Sequence, residues 1–285
     1  MTARVALIGH PLRRRHSQVM HDAAFEAAGI DARYELHDLE AEAVPGFVAQ
    51  TYGPDWLGFQ ITAPYKQLVV GLLDSVEPAA ASIGAVNSVV RSDDGRLIGF
   101  NTDATGFRAA VETTLGVKFR SSTVVVAGAG GAARAVVRAC IDAQAARVVV
   151  AARSLRQAAG LIADLGPSAD CDLGAALLDV AALAQALRQA DLVVNATTVG
   201  MIDSGMVLPP EAFGPDTSVF DLVYVPRETP FVTAARDHGL KAANGEEMLI
   251  AQAAAAFERW TGHAGMESVM RAAVEPLLAD PTALA

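Results

Sequence analysis

A glycine-rich turn stands where this chain could hold a phosphate. It reads Gly128-Ala129-Gly130-Gly131-Ala132-Ala133, behind the β-branched run Thr123–Ala127 and ahead of a segment rich in alanine and valine. The spacing Gly128-x-Gly130-x-x-Ala133 suits a dinucleotide. Gly128 permits a tight turn, Gly130 lets the backbone approach a pyrophosphate, and the small Ala133 lets the helix pack on its strand. The helix N-terminus behind the turn then offers free N–H groups to the phosphates. Glycine-rich turns also occur without a ligand, so the position between a buried strand and a helix gives this one its weight. NAD-binding folds place an acidic residue on the ribose about 20 residues beyond the glycines. Here the next strand, Arg147–Ala152, runs into Arg153-Ser154-Leu155-Arg156 with no acid. A guanidinium pairs with a 2′-phosphate through two hydrogen bonds, so the expected cofactor is NADP (NADPH), held by Arg153 and Ser154. The competing account makes Arg153 a solvated residue and Ser154 a helix N-cap.

The elements that must position this turn alternate between strand and helix, which predicts an α/β fold with βαβ units around a parallel sheet. Arg4–Gly9 reads as a strand. Ser17 offers an N-cap for a helix ending near Gly29. Strands follow at Arg33–Leu39 and Leu57–Ile61, and Pro64 suits the first turn of a helix through Leu73. Val86–Arg91 and Arg96–Phe100 form an expected hairpin across Asp93-Asp94-Gly95, and Asn101-Thr102-Asp103 leads into a helix stopping near Gly116. A new unit begins around Lys118–Ser122. After the glycine turn, strands are expected at Ala175–Leu178, Leu192–Asn195 and Ser218–Leu222, then two helices over Gly245–Gly262 and Gly265–Ala279.

The 285 residues exceed one typical domain and are 52% hydrophobic and 19% charged, which excludes a disordered chain. A formal charge of −10 argues against a nucleic-acid surface. No apolar run is long enough to span a membrane, and MTARVALIGH reads as a first strand rather than a secretory peptide. Two cysteines, Cys140 and Cys171, form no disulfide framework, and the scattered histidines suggest no metal site. A cytoplasmic protein is expected.

An ordered series of short motifs spans nearly the whole chain: Ser17, Thr62-x-Pro64-x-Lys66, Gly84-Ala85-Val86-Asn87, Asn101-Thr102-Asp103, the glycine turn, Asn195-Ala196-Thr197, Gly200-Met201, Asp221–Pro230, Met248-Leu249 and Gln252. In this the sequence resembles the shikimate dehydrogenase family. The resemblance implies an N-terminal α/β substrate-binding catalytic domain and a Rossmann-type doubly wound domain for NADP. C-terminal helices would return to the first domain, with the active site in the cleft. The expected division is 1–104 with 246–285 for catalysis, and 105–245 for the cofactor. Monomer and homodimer both remain open.

The resemblance further implies that Lys66 and Asp103 form the catalytic acid/base pair for oxidising a carbinol to a ketone. A lysine in the first turn of a helix sits where the macrodipole disfavours a cation, and Asp103 can cap its helix while keeping one oxygen for the lysine. Ser17 and Thr62 would bond the substrate, Asn87 and Gln252 its ring hydroxyls, and Tyr224 its carboxylate end. Thr197, Met201 and Met248 would join the glycine turn at the cofactor, although either methionine could be ordinary core.

Two positions depart from the family pattern. Where a second serine usually follows Ser17 two residues on, this chain has Val19, and the usual Asn before Thr62 is Gln60, and the resemblance implies that both positions face the substrate. A lost hydrogen bond to a charged group costs about 1.5–3 kcal/mol. The expected substrate is therefore shikimate, quinate, an aminated shikimate or another cyclic hydroxy acid, with Arg13-Arg14-Arg15 as a candidate replacement near the carboxylate. The competing functions are a non-catalytic nucleotide sensor on the same scaffold and a split-domain Rossmann enzyme such as a methylenetetrahydrofolate dehydrogenase.

Overall fold

In the computed structural model, residues 2–12, 14–166 and 170–279 are described. Arg13 therefore lies outside the described residues. The chain divides into two compact units, Met1–Thr102 with Ile250–Ala285, and Asp103–Leu249.

The first unit carries β1 (Ala3–Gly9), α1 (His16–Ala27), β2 (Ala32–Asp38), α2 (Val44–Gln50), β3 (Trp56–Ile61), β4 (Ser75–Val76), α3 (Pro78–Ile83), β5 (Ser88–Arg91) and β6 (Leu97–Phe100). Its six-stranded sheet runs β2-β1-β3-β5-β6-β4. β1 is parallel to β2 and β3, while β5 runs antiparallel to both β3 and β6. The β5–β6 turn is tight because Gly95 takes a φ of +84°. Beneath the sheet lie Ile8, Phe47, Trp56, Phe59, Val69 and Val89.

Two elements differ from expectation. α1 starts at His16 with Arg15 in the cap position and no side-chain cap bond, so Ser17 is a first-turn residue and not the N-cap. The stretch after Pro64 is not an α-helix: residues 63–67 make turns and Leu68–Leu72 is a 3₁₀ helix. The Lys66 carbonyl, which a helix would give to residue 70, accepts instead from the Val86 amide at 2.8 Å. Val69, Val70 and Gly71 have weak helix propensity, so this long-range bond outcompetes the local one.

The second unit opens with α4 (Asp103–Leu115) and continues with β7 (Thr123–Ala127), α5 (Gly131–Asp142), β8 (Arg147–Ala152), α6 (Leu155–Leu165), β9 (Asp172–Leu177), α7 (Val180–Gln189), β10 (Leu192–Asn195), β11 (Ser218–Asp221), α8 (Pro230–Asp237) and β12 (Lys241–Asn244). Its strands are all parallel, in the order β12-β11-β10-β7-β8-β9. This is the doubly wound order whose switch point falls beside the first strand, here β7. α9 (Glu246–Thr261) carries the chain back into the first unit, where α10 (Glu267–Ala279) packs on α1. Among the described residues no helix is long and apolar enough to cross a membrane, and no cluster of three metal-ligating side chains occurs.

Candidate active site

In the first unit the motif blocks, far apart in sequence, are tied together through their backbones. Thr62 follows β3, and its amide donates to the Ile8 carbonyl at 2.9 Å. Lys66 is bound through its carbonyl to Val86, as described. Asn87 accepts from the Thr102 amide at 2.9 Å and donates from Nδ2 to the Thr102 hydroxyl at 2.9 Å, and Asn101 donates to the Ala85 carbonyl at 2.9 Å. The segments carrying Thr62, Lys66 and Asn87 and the residue that leads into Asp103 are thus interlocked. Asp103 opens α4 and is buried, its negative charge matched to the helix N-terminus. The macrodipole argument for Lys66 does not survive, because no α-helix begins there.

Gln60 occupies a different role from the one expected. It is buried, and its Oε1 accepts from the Tyr34 hydroxyl at 2.6 Å and from His21 Nε2 at 3.1 Å. Its Nε2 donates to Ser88 Oγ at 3.5 Å and to Gln252 Oε1 at 3.0 Å. An amide has two acceptor sites and two N–H bonds, so Gln60 is saturated by protein and has nothing left for a substrate. Sequence reasoning missed His21 and Tyr34 entirely. The one available signal was that His21 follows Ser17 by four residues, placing both on one face of α1. Val19, at two residues from Ser17, points roughly 200° around the same helix.

Full burial among Tyr34, Phe257 and Trp260 pulls His21 down to about 3, opposed in part by its bond to Gln60. A folded-state value below the unfolded one means that the contribution is present above about pH 6.5 and is lost as pH falls towards 3. Between pH 7 and pH 5 the His21 contribution should fall by about 2 kcal/mol. Urea unfolding of wild type and His21→Phe at both pH values tests this. Equal losses in the two proteins would count against a neutral buried imidazole.

In the second unit the glycine turn joins β7 to α5. Gly128 has a φ of +122°, and a Cβ there would lie 2.8 Å from the Ala196 carbonyl oxygen, so only glycine fits. Gly130 is the N-cap of α5 in extended conformation, no side chain caps the helix, and nothing lies within 4 Å of where its Cβ would be. Ala129, Gly131 and Ala132 are half-buried, and Ala133 is buried against the sheet. Uncapped amides facing an open cradle fit a pyrophosphate. Arg153 follows β8, the strand beside β7. It is exposed, with no ion-pair partner among the described residues. Ser154 caps α6 by position only, its side chain making no cap bond. Both side chains suit a phosphate on a ribose.

Beyond β10, Thr197 donates from its amide and its hydroxyl to Asn195 Oδ1, at 3.0 and 2.7 Å. Met201 and Tyr224 lie half-buried in loops, whereas Met248 is packed into the second unit's core. Asp221, at the end of β11, is buried and accepts from Asn195 Nδ2 at 2.9 Å, the Val223 amide at 3.0 Å and the Thr229 hydroxyl at 2.7 Å. Cys140 and Cys171 are both buried free thiols.

The sequence matches three family descriptions along its length. They are the shikimate dehydrogenase substrate binding domain over residues 7–89, shikimate / quinate 5-dehydrogenase over residues 110–209, and the shikimate 5′-dehydrogenase C-terminal domain over residues 245–275. The shikimate dehydrogenase (NADP(+)) of Moorella thermoacetica is 38% identical, across 99% of this chain and 97% of that protein. The crystal structure of shikimate 5-dehydrogenase from Thermus thermophilus, in complex with NADP(H) and shikimate, superposes with a TM-score of 0.84 at 37% identity, covering 96% of this chain and 99% of that one. A quinate dehydrogenase from Corynebacterium glutamicum in complex with NAD superposes with a TM-score of 0.86 at 31% identity, covering 96% and 99%. With full-length identity above a third and the same two-sheet architecture, this chain belongs to the shikimate dehydrogenase family.

Proposed function

We infer that the protein is an NADP-dependent dehydrogenase that interconverts a cyclic hydroxy acid, shikimate or a close analogue such as quinate, with its keto form. The observation that carries this reading is the interlocking of the Thr62–Lys66, Gly84–Asn87 and Asn101–Thr102 segments, which holds the backbone of Lys66 and Thr102 by hydrogen bonds. A nucleotide sensor would not need that rigidity. When bound, NADP supplies the carbon that accepts the hydride. Lys66 takes the proton of the reacting hydroxyl as the C–H bond breaks, and the carboxylate of Asp103 holds the resulting ammonium and shares in the proton relay. In the reverse direction the pair returns the proton to the developing alkoxide. Ser17 and Tyr224 serve the carboxylate end, Thr62, Asn87 and Gln252 the ring oxygens.

The decisive experiment is an NADP-reduction screen over shikimate, quinate, aminoshikimate and simpler cyclohexene carboxylates. Turnover with at least one is expected, and NADP binding without turnover on any would favour the sensor. Arg153 sets the cofactor. NADP should exceed NAD by at least about tenfold in kcat/KM, modest for a guanidinium on a phosphate, and Arg153→Ala should erase most of that preference. Equal use of both cofactors by the wild type would remove the argument.

A further inference from the structure

The side chain of Thr62 is seated against a glycine. Gly9 ends β1, and a Cβ there would overlap the Cγ2 methyl of Thr62. The other neighbours of that missing Cβ are further off, the Ala63 carbonyl oxygen at 3.1 Å and Leu12 Cδ2 at 3.5 Å. Both backbones are held in place. The Gly9 carbonyl accepts from the Leu39 amide at 3.1 Å, and the next amide, that of His10, donates to the Ala63 carbonyl at 3.1 Å. On the facing segment the Thr62 amide donates to the Ile8 carbonyl at 2.9 Å, and the Thr62 carbonyl accepts from the Tyr65 amide at 3.1 Å. What can turn is the Thr62 side chain, about χ1.

A threonine carries its methyl and its hydroxyl on one carbon, so placing one places the other. The gap at Gly9 takes the methyl. The hydroxyl is thereby sent to a second staggered position. Thr62 is half-buried there, and its hydroxyl makes no hydrogen bond among the described residues. A side chain at position 9 would force another rotamer and carry the hydroxyl oxygen about 2 Å from its present place. A hydrogen bond made from the first position is not made from the second.

We propose that Gly9 is a positioning residue: it houses the Thr62 methyl and so turns the Thr62 hydroxyl to a ring oxygen of the substrate, a contact that any side chain at position 9 withdraws. This rests on the reading above that Thr62 touches the substrate. Thr62 binds and does not react, so the loss belongs in KM.

The test uses steady-state kinetics of the full chain with NADP on the best cyclic acid. Gly9→Ala should fold, because a rotamer change absorbs the new methyl. It should raise KM about tenfold and move kcat and the Kd for NADP much less. Thr62→Val, which keeps the shape and drops the hydroxyl, should raise KM by a similar factor. Thr62→Ser keeps the hydroxyl but has no methyl to seat, and three rotamers in place of one should cost about threefold in KM. In that background Gly9→Ala should add less than about twofold, since the overlapping atom is gone. A Gly9 needed only for packing would lose as much beside serine as beside threonine. A normal KM in Gly9→Ala, or an equal rise in both backgrounds, overturns this proposal alone. Should Gly9→Ala fail to fold, the double variant decides. Folding with a KM near that of Thr62→Ser supports the methyl overlap, and failure to fold moves the obstruction to the Ala63 carbonyl and overturns the proposal. An unchanged KM in Thr62→Val overturns the reading of Thr62 as a substrate contact, and this proposal with it.

Discussion

Lys66→Ala should lower kcat on the best cyclic acid by at least about a hundredfold, the lower range for loss of a general acid–base group. The backbone at this position is held by the Val86 amide on the Lys66 carbonyl, a bond that alanine keeps. The turn should therefore stay in place, and the loss should be chemical. The residues assigned to NADP belong to the other unit, so the Kd for NADP should change little. Single-turnover kinetics with fluorescence titration of NADPH separate the two. Near-normal turnover in the variant would show that another group takes the proton, and the assignment of Lys66 would fall.

A comparable effect, on stability, is expected at Asp221. Burial pushes its carboxyl up to about 6, while the donors on Thr229, Val223 and Asn195 pull it back. Asp221→Ala removes three acceptor contacts and strands buried donors, and should cost about 3 kcal/mol or more. Asp221→Asn should cost far less, about 1 kcal/mol, because its oxygen can still accept from Asn195 and Val223 while its NH2 bonds the Thr229 hydroxyl. The pH dependence separates charge from hydrogen bonding. A folded value raised above the unfolded one gives a contribution that is complete below about pH 4 and is lost as pH rises through about 6. The stability of wild type relative to Asp221→Asn should fall from pH 4 to 8 in chemical denaturation, a comparison in which the opposite trend of His21, common to both proteins, cancels. An Asn variant as unstable as the Ala variant would mean that the negative charge itself holds the ends of β10 and β11.

What could be read in the sequence was local. Gly29 and Gly116 end their helices because both adopt positive φ, +67° and +69°, as a glycine after a helical run predicts. The valines of β7 are buried on both faces, as their unbroken apolar run implies. The motif series identified the family because its blocks keep their order and spacing. What could not be read was decided by distant partners. Residues 63–73 carry a plausible helix start at Pro64, and only the bond from Val86 takes that backbone elsewhere. β9 starts three residues before the expected strand because its edge position leaves it half exposed, without the apolar signal used to find it. Gln60 read as a substrate contact because its partners, at positions 21, 34, 88 and 252, are brought together only by the fold.

The division of the chain also has a consequence for its synthesis on the ribosome. The second unit is one continuous stretch, so it can close as soon as it has emerged, whereas the first must wait for the chain beyond Ile250. What it waits for is specific. Trp260 Nε1 donates to the Val89 carbonyl at 2.8 Å, beside Gly58, where a side chain would collide with that same carbonyl. α10 packs on α1, and Phe257 packs on Phe25. At about 5–20 residues per second, the roughly 150 intervening residues take on the order of 10–30 s to translate. For that interval the first unit lacks the apolar surface that α9 and α10 later bring to it. A ribosome stalled with residues up to 249 emerged and α9 and α10 still in the tunnel should therefore present the first unit, and not the second, to chaperones and proteases.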